Sequence, residues 1–316
     1  PCGCAGLANQ KGGLGRRHTL VRELEARGWP LLKLDVGNQV RRYGRQAELK
    51  FQITVEGLKT IGYDAIAFGE HDLGLSVGEV AAATMAMDER GTPFLSANAA
   101  VLDRDLTPRF SVLEAGGKKV GVTSVLGTGE QEQVSSTEVL LQPAVESLQE
   151  VVPQLKQAGC DLYVLLAHAS LDESRELARQ FPDFDVIVSS GGLGDPTYEP
   201  EAIEGSKAIL VQVGVKGMFA GVIGVFADGE KRLRYQRVPL DAVYTDSAEM
   251  LALLKSYQDQ LKITGLDGLG VKQVPHASGN KFVGSQSCAD CHSKAFAIWE
   301  ETPHASATET LVHPGE

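Results

Sequence analysis

Between Leu31 and Phe226, short β-rich apolar runs alternate with amphipathic stretches, and no other feature of the sequence restricts the fold as tightly. LLKLDVG (31–37), DAIAFG (64–69), PFLSAN (93–98), KVGVTSVLG (119–127), DLYVLLAH (161–168), DVIVSS (185–190) and AILVQVG (208–214) read as strands, mostly covered on both faces. Helical spacing separates several of them. In RRHTLVRELEARG (16–28), Leu20, Leu24 and Ala26 gather on one side and Gly28 supplies a stop; AVESLQEVVPQLKQAG (144–159) is similar, with Pro153 expected to kink or restart it. Strands alternating with helices predict a layered α/β fold. FAGVIGVFADGEKRLRYQRVPL (219–240) adds a hairpin turning at Asp228–Gly229, so one domain closes near residue 245. SAEMLALLKSYQDQLK (247–262) predicts a helix, and the glycine-rich stretch after it, without sustained periodicity, predicts a linker. No internal repeat of fixed period is visible.

At 316 residues and 43% hydrophobic content, the chain has material for a globular core and length for one large domain or two smaller ones. No stretch approaches the roughly 18 apolar residues of a membrane span. The net charge of −11 and the brevity of the basic stretches, RRH at 16–18 and RRYGR at 41–45, argue against nucleic acid as a partner. The cysteines stand as Cys2 and Cys4, Cys160, and Cys288 and Cys291, an odd count that speaks against a simple disulfide framework. The sequence opens without an initiator methionine or a signal-peptide pattern, and the expectation is that an export signal has been removed.

Near the other end, Cys288-Ala-Asp-Cys291-His292 forms a C-x-x-C-H run. Two thiols at this spacing reach the two vinyl groups of one haem as thioethers, and the next residue's imidazole is placed to bind the iron axially. The competing reading is a chance pair or a zinc site, but zinc wants four ligands and no second C-x-x-C occurs. The segment after it, with Phe296, Trp299, Thr302 and then His304-Ala305-x-Ala307, resembles the multihaem cytochrome c family, in which C-x-x-C-H precedes an aromatic-bearing helix and a W-x-x-[ST]-x-H-A segment. The resemblance covers about residues 282–311. It implies covalent haem c, with His292 as the proximal iron ligand and His304 as a ligand of this haem or of a neighbour; the alternative for His304 is a solvated histidine after a helix. Two imidazoles would saturate the iron and suit it to outer-sphere electron transfer. His276 and His313 lack such context and read as ordinary surface residues. About thirty residues bury a haem poorly alone, so it is expected to pack on the large domain or, as the resemblance implies, among further haem motifs beyond Glu316. Because such attachment takes place outside the cytoplasmic membrane in bacteria, the resemblance also implies an exported protein, periplasmic, cell-surface or extracellular.

Four segments, in order, resemble the 5'-nucleotidase branch of the calcineurin-like metallophosphoesterases. KGGLGRRHTLVREL is similar to that family's GGLARR helix start, LLKLDVGN to its LLLDAGD, IGYDAIAFGEHDLG to its LGYDAVALGNHEFD, and TPFLSANA to its FPFLSANV. DLYVLLAH then resembles a strand ending in a metal-ligand histidine, and DVIVSSGGLGD stands in the place of DVILGGHSH. The resemblance runs from about residue 11 to 227. It implies an α/β, layered metallophosphoesterase-like β-sandwich flanked by helices, followed by a small, mostly helical haem-binding segment. The expected domains are a nucleotidase-like domain over 1–245, a helix and linker over 246–280, and a truncated c-type haem-binding segment over 281–316.

That family's chemistry uses two divalent metals about 3.5–4 Å apart, which clamp a phosphoryl group and acidify a bound water. Its ligands are largely missing here. No Asp-x-His precedes GGLGRR, where the chain reads PCGCAGLANQ. The bridging aspartate falls at Asn38, the asparagine ligand at Glu70, the histidine that steadies the leaving oxygen at His71, a histidine ligand at His168, and the last two histidines at Gly191 and Leu193. Without the bridging carboxylate and its neighbours, too little negative charge remains for two dications. Asn38, Glu70 and His168 are therefore expected to form at most a remnant divalent-metal site, with His71 a remnant catalytic group, or Glu70, His71 and His168 to be leftovers hydrogen-bonded in a polar cleft. A softer centre is open to Cys2 and Cys4 with Glu70, His71 and His168, against a turn or another pairing of those thiols. Cys160 reads as a core thiol. GGLG and SGGLGD lack the spacing of phosphate loops, and their glycines serve tight turns.

Two functions are consistent with these features. One is an extracytoplasmic c-type, multihaem electron-transfer protein whose nucleotidase-like domain is a scaffold or docking module. Its partners would be redox proteins or neighbouring haems, with an oligomer or assembly open to it. The other is a metal-dependent phosphoesterase or 5'-nucleotidase with an altered metal site and an appended haem. Phosphate release from nucleotides separates them.

Overall fold

The computed structural model describes residues 10–85, 91–227, 232–272, 274–281 and 283–307. The chain divides into two compact units, Pro1–Gly270 and Val271–Glu316.

The first unit opens with α1 (Leu14–Ala26), β1 (Leu34–Asp35), α2 (Arg45–Ile61), β2 (Ala65–Ile66), the single turn α3 (Glu70–Leu73) and α4 (Val77–Thr84). There follow β3 (Ala99–Val101), β4 (Phe110–Ala115), β5 (Lys118–Leu126), the short α5 (Thr128–Gln131), β6 (Val139–Leu141), α6 (Ala144–Gln157) and β7 (Leu162–His168). Then come α7 (Leu171–Gln180), β8 (Val186–Ser189), β9 (Glu201–Ala202), β10 (Ile209–Gln212), β11 (Phe219–Val225), β12 (Leu233–Pro239) and α8 (Ala248–Gly268). The main sheet has six strands in the order β4-β5-β7-β8-β10-β9. Its four central strands are parallel and its edge strands, β4 and β9, antiparallel.

Alternate residues of the central strands feed opposite cores, which explains their unbroken apolar runs. Leu165 and Ala167 of β7 face one side, packing with Leu148, Val151 and Leu155 of α6 and Leu177 and Ala178 of α7. Leu162, Val164 and Leu166 face the other, against Val36, Ala65, Ala67 and Leu95, with Ile223 of β11 and Leu233 of β12 at the margin. The short paired strands therefore form a second β layer, and α2 and α4 cover its outside through Phe51, Val55, Leu58, Val77 and Val80. Two β layers between helices are the sandwich expected from the sequence.

Three local features differ from expectation. Residues 93–98 form no strand beyond a bridge between Phe94 and Ile66, because the segment divides its bonds between two neighbours. Leu95 N donates to Ile66 O (3.0 Å), whereas Ala97 N donates to Ser124 O (2.8 Å). Pro153 does not interrupt α6, and lies on its exposed side. The helix predicted over 247–262 extends to Gly268 with a non-helical Gly265. It packs back on α1 and α2, burying Met250 beside Gly57. The hairpin pairs β11 with β12 as predicted, and its turn at Asp228–Gly229 lies outside the described residues. No helix among the described residues is long and apolar enough to cross a membrane.

The second unit contains α9 (Gln286–Ala289) and α10 (Ser293–Glu300). Neither helix has a buried residue.

Candidate functional site

In the first unit, the carboxyl ends of β1, β2, β7 and β8 bring Asn38, Glu70, His168 and the Ser189–Gly191 segment to one edge, the place where open α/β sheets build sites. The loops after β1 and β2 approach backbone to backbone. A Cβ on Gly37 would lie 2.6 Å from Gly69 N, and one on Gly69 would strike the Asn38 side chain. Asn38 itself has φ 59°, a left-handed conformation that asparagine tolerates. Fully buried Asp72 ties the crossing together, accepting from the backbone N–H of Asn38 (2.8 Å), Gln39 (2.7 Å) and Gly69 (3.1 Å). Burial pushes its carboxyl up to about 6 against those three bonds. Sequence reasoning missed Asp72, although its place in GEHDLG two residues after Glu70 was a signal.

The expected group of Asn38, Glu70, His71 and His168 does come together, with Asn38, Glu70 and His168 joined by side-chain hydrogen bonds. His168 Nε2 lies 2.7 Å from Glu70 Oε2 and its Nδ1 lies 2.6 Å from Val36 O. Asn38 Nδ2 donates to Glu70 Oε1 (2.9 Å), and Asn38 Oδ1 accepts from His71 N (3.0 Å). His71 Nδ1 sits 2.7 Å from Glu70 Oε1 without hydrogen-bond alignment, and its ring stacks 5.8 Å from that of half-exposed Tyr43. Burial opposes the charge on Glu70, but hydrogen bonds from His168 and Asn38 prevail and hold its carboxyl down at about 2. Burial likewise opposes charge on His168, and the bonds to Glu70 and Val36 O win, raising its pKa. His168 thus bridges Val36 O and the Glu70 carboxylate through its two ring nitrogens.

The two remaining family positions fit a metal centre no better. A Cβ on Gly191 would lie 2.6 Å from Leu171 N and 2.7 Å from Ala169 O, so no histidine side chain has room there. Leu193 is 99% exposed and joins no cluster. Among the described residues, no three His, Cys, Asp or Glu side chains converge to hold a metal ion. The residues of this cleft do not fit a two-metal centre. Cys2 and Cys4 lie outside the described residues. Cys160 is half-buried beside Gly121 and not in the core; burial pushes its thiol pKa up. A further acid missed in the sequence is Glu130, whose Oε2 has no hydrogen-bond partner and whose pKa burial raises.

In the second unit, Cys288, Cys291 and His292 occupy one turn, with His292 N donating to Cys288 O (2.8 Å). All three side chains are exposed, and both thiols are free. Two accessible thiols three residues apart and an adjoining imidazole fit covalent haem. His304 is exposed in the turn after α10. His276 is exposed in another turn, 2.7 Å from Ser278 Oγ, and His313 lies outside the described residues.

Comparisons with known proteins assign the two parts differently. An apyrase of Aedes albopictus is 26% identical over 213 residues, covering 59% of this chain and 38% of its own length. A snake venom 5'-nucleotidase of Gloydius brevicauda is 25% identical over 241 residues, covering 69% and 40%. A 5'-nucleotidase precursor from Thermus thermophilus superposes with a TM-score of 0.67 at 23% identity, over 80% of this chain and 54% of that one. The first unit is 5'-nucleotidase-like. The calcineurin-like phosphoesterase YfkN from Bacillus subtilis superposes over 80% of this chain and 90% of its own, with a TM-score of 0.59 at 16% identity. The nucleotidase-like unit thus carries the expected layered fold. The chain spans about 40% of the length of the two curated relatives. A family described as cytochrome c554 and c-prime matches residues 287–316, the stretch containing Cys288, Cys291, His292 and His304.

Proposed function

We propose that this chain belongs to an exported electron-transfer protein, with haem c bound through Cys288 and Cys291, and that its nucleotidase-like unit serves as scaffold or docking module without hydrolysing phosphate esters. The observation that carries the reading is the turn placing two free, exposed thiols beside His292 within the cytochrome-like stretch. Each thiol S–H adds across one vinyl C=C, sulfur forming the C–S bond and hydrogen going to the neighbouring carbon, so no oxidant or reductant is consumed. His292 would hold the iron, and His304 would hold this iron or that of a neighbouring haem. When bound, the group would supply a one-electron couple. Redox proteins or neighbouring haems are the partners, and covalent attachment places the chain outside the cytoplasmic membrane.

The cleft supports the other half of the proposal. Gly191 and exposed Leu193 stand where the resembled family has its last two histidines, and the surroundings of Gly191 leave no room for a side chain. A second reading, a metal-dependent phosphoesterase, is favoured by the presence of Glu70, His71 and His168 together in the cleft and by the names of the relatives. The full chain, matured with haem, should show the mass of covalent haem and low-spin bands on reduction. Incubated with nucleotide monophosphates and Mn²⁺, Mg²⁺ or Zn²⁺, it should release no phosphate. Metal-dependent turnover abolished by His71→Ala would replace this reading with the second.

A further inference from the structure

In the second unit, the amide of His292 donates to Cys288 O (2.8 Å) and that of Phe296 to His292 O (2.9 Å), and His292 itself, with φ −121° and ψ 42°, separates α9 from α10. Trp299 lies one further turn along. Within α10, Phe296 and Trp299 stand one turn apart on a single side, about 60° from each other at 100° per residue, whereas Lys294 lies on the far side. The rings of Phe296 and Trp299 stand 5.3 Å apart, tilted by 47°. Both remain half-exposed, on a helix that buries nothing. Thr302 fixes the backbone beneath the indole, its amide and hydroxyl both donating to Trp299 O (2.9 and 2.6 Å).

An amphipathic helix with no core beneath its apolar stripe needs an occupant for that stripe. His292, which caps α10, directly follows Cys291, so the proposed attachment lies at the start of the helix that carries the aromatic pair. A porphyrin is itself a flat aromatic surface, and offset or edge-to-face packing on indole and phenyl rings suits it. We infer that Phe296 and Trp299 form the apolar wall on which the porphyrin bonded to Cys288 and Cys291 rests. This rests on the haem reading above. The two rings are positioning residues: they keep water from one side of the macrocycle, fix its orientation, and give α9 and α10 the core they otherwise lack.

The test uses the full chain matured with haem, as wild type and as Phe296→Ala, Trp299→Ala, Trp299→Phe and Ile298→Ala, with Ile298 chosen because it is 70% exposed and off the stripe. Intact mass reports attachment, Soret circular dichroism reports the asymmetry of the haem surroundings, and hydrogen exchange reports the protection of residues 286–302. The two alanine variants at the aromatic pair should keep covalent haem while losing most of the Soret dichroism and the slow exchange. Trp299→Phe should retain both, and Ile298→Ala should match wild type. Loss of haem from the alanine variants alone, with Trp299→Phe loaded, supports the same wall. Alanine variants that carry haem with unchanged dichroism and exchange overturn it while leaving the haem reading intact. Wild type without haem mass sinks the haem reading and the wall with it.

Discussion

Glu70 and His168 form a buried pair of opposite charge, 2.7 Å apart. Glu70→Gln should cost about 3–5 kcal/mol of unfolding free energy near pH 5.5, because it leaves the buried imidazolium without its counter-charge. The sign with pH comes from the two shifts. Glu70, held down to about 2, contributes fully above its ordinary 4.5 and loses that contribution as pH falls through about 2. His168, raised above its ordinary 6.5, contributes fully below 6.5 and loses that contribution as pH rises through its folded value. The deficit of Glu70→Gln relative to wild type, read by urea unfolding, should therefore be largest between about pH 4.5 and 6.5 and shrink on both sides. Gly191→His restores the residue type of the resembled family, yet its Cβ would sit 2.6 Å from Leu171 N. It should destabilise by about 1–3 kcal/mol as an overpacking change, and titration calorimetry should register no gain in Mn²⁺ binding. Each of these positions was legible in the sequence, since each ends a recognisable motif. Their pairing was not, because 98 residues separate Glu70 from His168 and only the parallel sheet brings their strand ends together.

Among the elements, legibility depends on how many neighbours a segment serves. β5, β7 and β8 were readable because burial on both faces makes their sequences continuously apolar. Residues 93–98 look the same in sequence, but they bond to β2 on one side and β5 on the other and so never form a regular ladder. α2 was not singled out: its 17 residues contain Gly57, whose missing side chain reads as a weakness until α8 is seen beside it. A Cβ at Gly57 would meet Leu14 at 3.0 Å and Met250 sulfur at 3.4 Å, so the glycine admits α1 and α8 together. His18 Nδ1 to Ser247 Oγ (3.0 Å) and Arg22 to Glu249 (2.9 Å) fasten the start of α8 to α1. Met250→Ala should then cost about 2–5 kcal/mol, as for other buried residues of its size. Thermal unfolding followed at the helical band checks this; a change under about 0.5 kcal/mol, the range of surface substitutions, would mean that α8 is not part of the first unit's core.

Over the whole molecule, charge decides which partners the chain meets quickly. Its net charge is −11, and on and around α9 and α10 Asp290, Glu300 and Glu301 outnumber Lys294. Like charges repel and opposite charges concentrate at such a surface, an effect on association rates that needs no specific contact. For the haem-loaded chain, a small cationic oxidant should accept electrons roughly tenfold faster at low salt than an anionic one of equal driving force. The ratio should fall towards unity near 1 M salt, where the screening length is only about 3 Å. Stopped-flow rates across an ionic-strength series measure both quantities. Equal rates at low salt would mean that electrons leave through a patch shielded from the net charge. A faster anionic reagent would mean that the surface through which electrons leave is basic despite the net charge.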